Sequence, residues 1–209
     1  MKRWYEGLSK GDHAAHIYRS DSEQVRVVTE MISWMNESQR LILLSDRWDK
    51  DAKAPRSRIL DAAIDDGHLT IVPGRETLCP AGDYCPDALE AIMLAEAEAA
   101  VENGASDLVL MWDLDWLGDD EPAFEAHIVQ ISSLSLAPSN PHVTLVGQYG
   151  TPHYSPEQLE RILRVSPMVL ESGLLTRKFW VVSKSSVGKA SKDGRRLLLA
   201  VPDEAAGVR

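Results

Sequence analysis

Asp107-Leu108-Val109-Leu110-Met111-Trp112-Asp113-Leu114-Asp115-Trp116-Leu117-Gly118 is the stretch whose reading decides the fold. Its first half is a continuous apolar run, too short for a helix and set just after the helix-stopping Gly104. Such a run suits a strand buried on both faces, as in the middle of a parallel sheet. Its second half places two carboxylates and two tryptophans at the strand's carboxyl end. In open α/β sheets the crevice beyond those ends is where ligands bind.

Reading outward, helices and strands alternate. Upstream, Pro86 opens a helix with Leu89, Ile92, Met93, Ala97, Ala100 and Val101 on one face. Before it come an irregular loop from Arg75 to Cys85, a small strand Leu69–Val72, and a short helix from Ser57 to Gly67. A charged loop, Asp49 to Arg56, separates these from an apolar strand, Leu41–Leu44, with Asp46-Arg47-Trp48 at its exit. His13–Tyr18 reads as a first strand, and the capping pattern of Ser20 and Glu23 opens a helix extending to about Ser38. Downstream, Pro122 opens a helix carrying Phe124, Ile128, Ile131 and Leu134. Val143–Gly147 is a fourth major strand, and Ser155-Pro156 starts another helix. Strands alternating with helices imply an α/β fold with a doubly wound, mostly parallel sheet of five or more strands, Leu108–Trp112 at its centre.

A first domain is expected to span residues 1–182, closing on the apolar Phe179–Val182. A Ser/Lys/Gly-rich tail follows over 183–209, with an edge strand available at Leu197–Val201. The 209 residues suffice for one buried core, and 44% hydrophobic with 26% charged residues suits a globular domain. A net charge of −10 argues against direct nucleic-acid binding, since phosphates would be repelled. The opening residues lack the apolar core of a secretory signal, and no apolar run reaches the ~18 residues of a membrane span. Two cysteines are too few for a disulfide scaffold, so the cytoplasm is the expected compartment.

The chemistry-bearing motifs exclude more than they assign. The connection after the first strand, Arg19-Ser20-Asp21-Ser22, has no glycine or lysine with which to wrap a triphosphate, so ATP hydrolysis is disfavoured. No hydrolase or metalloprotease motif is present, so no catalytic residue is assigned. His13 and His16 would point to opposite faces of their strand, and they read as packed histidines before metal ligands. Cys79 and Cys85 lack a zinc-ribbon spacing and remain weak metal candidates. Trp112 and Trp116 suit either a pocket wall or ordinary packing. Asp113 and Asp115 share strand parity and could hold a cation, or simply line a solvated turn.

Gly11-Asp12-His13-Ala14-Ala15-His16-Ile17-Tyr18 resembles the opening Gly-Asp-His-x-x-His-x-Tyr signature of the MEDS sensory domain of methanogen and methylotroph regulators. Further likenesses follow in order: Trp112 at its strand exit, Glu125 early in the next helix, Gln148-Tyr149, and the ending Pro167 to Gly173. Together they cover about residues 8–182. One departure is Gly147, where the family often has cysteine.

The resemblance implies a RecA-like three-layer sandwich with an eroded phosphate loop, no cofactor, and a non-catalytic sensory function. It implies binding of a small molecule, such as a simple hydrocarbon derivative, and a signalling or regulator protein as partner. In RecA-like sheets the fourth strand lies between the first and the third. His13, His16, Tyr18, Trp112, Glu125, Gln148 and Tyr149 are therefore expected to share one ligand-binding site at the strand ends. Two other readings stay open: a protein–protein interaction module, and a residual nucleotide- or metal-binding enzyme.

Overall fold

Seven strands form one sheet in the order β3-β2-β4-β5-β1-β6-β7. The structure, a computed structural model, describes residues 4–36, 38–48, 58–136 and 142–178. In chain order these give β1 (His13–Tyr18), α1 (Asp21–Trp34), β2 (Gln39–Ser45), α2 (Arg58–Asp65) and β3 (Leu69–Val72). Next come α3 (Gly74–Leu78), α4 (Pro86–Glu102), β4 (Asp107–Asp113) and a 3-10 turn over Asp115–Asp119. The chain continues through α5 (Glu121–Leu136), β5 (Val143–Gly150), α6 (Pro156–Val165), β6 (Met168–Glu171) and β7 (Leu174–Arg177).

The first six strands are parallel and β7 returns antiparallel to β6. The expected α/β, doubly wound sheet is therefore what the chain forms, and β5 lies between β1 and β4 as anticipated. All seven residues of β4 are buried, because both neighbours pair with it and helices cover both faces. Alternation along the strands sends Leu41, Leu43, Val109, Met111 and Val146 into one core with Val27, Val28 and Met31 of α1. Ile42, Leu44, Leu108, Leu110 and Leu145 enter the other, against Leu89 and Met93 of α4, Phe124 and Ile131 of α5 and Ile162 of α6. Since successive side chains point to opposite faces, one sheet serves two cores.

Local signals explain where the helices begin. Ser20 accepts the backbone N–H of Glu23, and Ser155 with Gln158 makes a full capping box. Helix α1 stops at Trp34, four residues before the expected end. Asn36 Oδ1 there accepts the Ser38 N–H at 2.9 Å and offers the backbone an alternative to the helix.

Two further expectations are corrected, and one element is added. The segment read as an irregular loop begins with helix α3. Val101 is 62% exposed, because the inward stripe of α4 runs Leu89, Met93, Ala97, Ala100 and passes beside it. The β6–β7 hairpin is new, its strands being too short to announce themselves by periodicity. The expected apolar segment 179–182, the tail, and the edge strand at 197–201 lie outside the described residues. No described helix is long and apolar enough to cross a membrane.

Candidate functional site

The carboxyl ends of β1, β2, β4 and β5 meet on one edge of the sheet, and polar side chains accumulate there. Tyr18 closes β1, its ring packed close against Gly150 of β5, where an added Cβ would sit 2.7 Å from the ring. Its buried hydroxyl donates to Asp115 at 2.8 and 3.0 Å and lies 3.4 Å from Asp113 Oδ1. Burial, with the charges of Asp113 and Asp115, holds the Tyr18 hydroxyl well above its ordinary pKa, so it remains a donor. Ser45, at the end of β2, gives its hydroxyl to Asp113 Oδ2 at 3.2 Å. Arg47 reaches from β2 to Asp115 at 2.7 Å and to Asp21 at the start of α1. His153 Nε2 stands 3.2 Å from the same Asp115 carboxylate.

Asp113 is altered by the same setting. Burial, then repulsion from Asp115, pushes its pKa up to about 7, against the pull of Gln24 and Arg47. Behind it, under α1, Gln24 reaches Gln148 at 3.5 Å and Gln148 reaches His16 Nδ1 at 3.3 Å. Burial, then the charge of Arg26, lowers the His16 pKa to about 3, so the ring is neutral.

The opposite face holds a second buried chain. Trp112 Nε1 donates to the Tyr149 hydroxyl at 3.1 Å, which lies 3.1 Å from His127 Nε2. His127 Nδ1 is 2.8 Å from the Tyr84 hydroxyl, which donates to Gln130 at 2.6 Å; Gln130 in turn donates to the Pro86 carbonyl. All donors run one way if His127 is neutral with its proton on Nδ1. Burial, then the charge of His13, lowers its pKa to about 3, in keeping with that form. Gly147 lies beneath this chain. A Cβ there would come 2.5 Å from the Tyr149 hydroxyl and 2.7 Å from Trp112 Nε1, so no cysteine fits in this arrangement.

These placements divide the residues expected to share a site. His16, Tyr18 and Gln148 lie on the α1 face of the sheet. His13, Trp112 and Tyr149 lie on the α5 face, with the rings of His13 and Trp112 5.7 Å apart. The period-two rule that unites His16 with Tyr18 also separates both from Trp112 and Tyr149, because paired strands share their alternation. Glu125 joins neither group: it is exposed on α5 and makes a bidentate pair with Arg161 of α6 at 2.5 and 2.6 Å. Such a surface pair contributes about 1 kcal/mol or less.

An open crevice of about 780 Å³ lies beyond the ends of β2 and β4. Asp46, Arg47, Arg75, Glu76, Cys79, Asp113, Asp115, Trp116 and His153 are among its lining residues, and none of the seven expected ligand residues is. Tyr18 does not line it but bonds to three residues that do, Asp113, Asp115 and Arg47. Cys79 faces this space while Cys85 caps α4, and among the described residues no three His, Cys, Asp or Glu side chains converge as metal ligands. Arg47, Arg75 and His153 carry no motif. The available signal was positional: each follows the carboxyl end of a strand.

Comparison with known proteins gives one family. The model described as MEDS, methanogen/methylotroph, DcmR sensory domain, matches residues 12–167. No curated protein matches the sequence. Among solved structures, a KaiC-like protein from the hyperthermophilic archaeon Pyrococcus horikoshii is similar at 13% identity and a TM-score of 0.47. That match covers 81% of this chain and 80% of the other. The cytoplasmic domain of EssC matches at 14% identity and 0.36, covering 78% of this chain and 31% of that one. EssC ATPases 2 and 3 from Geobacillus thermodenitrificans match at 8% and 0.37, covering 84% and 36%.

Proposed function

The chain belongs to the MEDS family of sensory domains, and on that premise we propose that it senses a small organic molecule bound in the strand-end crevice. The observation that carries this reading is the crevice itself. Its volume of about 780 Å³ falls in the range of small-molecule sites, which typically run ~300–1,000 Å³. Trp116, Pro73 and Cys79 give it apolar surface, while Arg47, Asp115 and His153 supply a few converging polar groups. It opens where ligands of α/β sheets bind. A simple hydrocarbon derivative with one hydrogen-bonding head group matches that lining.

In this reading the domain is not a catalyst. Ser20 spends its hydroxyl on capping α1, and Asp21 places a negative charge where a phosphate would approach. The response passes to a signalling or regulator protein through a route set by Arg47. This side chain ties the start of α1 to Asp115, so a ligand that moves Asp115 also moves α1. The domain works away from membranes and nucleic acid, in the cytoplasm.

Native mass spectrometry of protein purified gently from its source tests the assignment. The wild type is expected to carry a small molecule of defined mass that Trp116→Ala loses. Retention of the same molecule by Trp116→Ala, or its loss from Glu125→Ala instead, would place the site elsewhere.

A further inference from the structure

Building on the crevice as the ligand site, we propose that its ligand presents an anionic head group of the carboxylate class, received by the guanidinium of Arg75 beside the indole of Trp116. Among the described residues the crevice keeps one free donor group, the Arg75 guanidinium, while three of its four carboxylates, Asp46, Asp113 and Asp115, are already taken and the fourth, Glu76, is exposed. Asp113 accepts from Ser45 at 3.2 Å. Asp115 accepts from Tyr18 at 2.8 Å and Arg47 at 2.7 Å, with His153 Nε2 at 3.2 Å. The two oxygens of Asp46 take the backbone N–H of Arg75 at 3.0 and 3.1 Å.

The donors are less fully used. Arg47 is committed to Asp21 and Asp115. Arg75 makes no ion pair among the described residues, although the chain as a whole carries a net charge of −10. Its guanidinium lies 5.2 Å from the centre of the Trp116 ring, a stacking that holds the planar fork in place. Among the described residues Trp116 Nε1 has no hydrogen-bond partner, but it is closed to solvent, so the ligand's head group falls to Arg75. A guanidinium fork matches a carboxylate with two parallel hydrogen bonds.

A cationic ligand meets the opposite situation. It would have to displace Arg47 from Asp115, and the aromatic face that could receive it is already covered by Arg75. Asp113, being partly protonated near neutral pH, adds less than a full charge against an incoming anion. A neutral ligand would gain no charge-assisted hydrogen bond from Arg75.

Three probes sharing a trifluoromethyl tail separate these cases in fluorine NMR: 3,3,3-trifluoropropanoate, 3,3,3-trifluoropropanol and 3,3,3-trifluoropropylammonium. The propanoate is expected to broaden and shift on titration with the full chain, at least tenfold more tightly than the other two. Arg75→Gln should weaken it by about tenfold or more, and Arg75→Lys should fall between, since the charge stays while the fork is lost. Arg75 is exposed, so thermal unfolding should confirm that both variants fold like the wild type. Equal or tighter binding of the alcohol or the ammonium, or propanoate binding that survives Arg75→Gln, would overturn the anion assignment and leave the crevice standing as a site. Silence from all three probes would overturn the assignment as well. The crevice itself is then judged by the Trp116 signal in the protein's own spectrum.

Discussion

Trp112→Ala is expected to destabilise the domain by about 3–5 kcal/mol, the usual range for emptying a buried aromatic site. The indole is fully buried between β4 and α5. Its loss leaves a cavity and removes the hydrogen bond to Tyr149. Tyr149 still reaches His127, so the chain is weakened at one link and the cavity dominates the cost. Urea denaturation monitored by circular dichroism gives the number directly. A loss below about 1 kcal/mol would fit a pocket wall facing solvent better than a core residue, and would contradict the packing described.

Acid should destabilise the folded state well before carboxylates in general titrate. His13, His16 and His127 have pKa values lowered to about 4, 3 and 3, in each case chiefly by burial. In the unfolded chain they bind protons from pH 6.5 downward, whereas the folded chain does not, so their contribution is present above pH 6.5 and is lost as pH falls. At pH 5 that amounts to about 2 kcal/mol for each histidine. Asp113 works the other way. Its folded pKa is raised to about 7, so it favours the folded state at low pH and loses that contribution as pH rises from about 4 through 7. Between pH 7 and pH 5 it returns about 2 kcal/mol, against about 6 for the three rings together. A net fall of several kcal/mol is therefore expected, seen as a steep drop in urea midpoint below pH 6.5. A flat profile from pH 7 to pH 5 would mean that the three histidines are not buried as neutral rings.

The sheet was legible in the sequence because long apolar runs and capping residues act locally. Leu108–Trp112 could hardly be anything but an interior strand; Ser20 and Ser155 mark their helices by hydrogen bonds within a few residues, and Pro86 by its fixed backbone angle in the first turn. The site was legible only in part. That the strand ends would gather polar groups follows from the fold, and Asp113, Asp115 and Trp116 stood out in the deciding stretch. Which face each side chain takes depends on register between strands. Trp112 opposes Gly147 and His16 opposes Gln148, pairings that no local pattern states. Glu125 lay within reach of the opening by helix position alone, but α6 supplies Arg161 and turns it outward. Arg47, Arg75 and His153 come from three separate connections, and only the folded chain brings them together.

The central claim is that a small molecule binds in the crevice walled by Trp116 and not between the two cores. The chain has six tryptophans, each able to give a separate indole N–H signal in a nitrogen–proton correlation spectrum. Trp116→Phe and Trp112→Phe assign the two that matter. On addition of the molecule that copurifies with the protein, the Trp116 signal is expected to move while that of Trp112, held on Tyr149, stays in place. Movement of Trp112 with Trp116 unchanged would contradict the account.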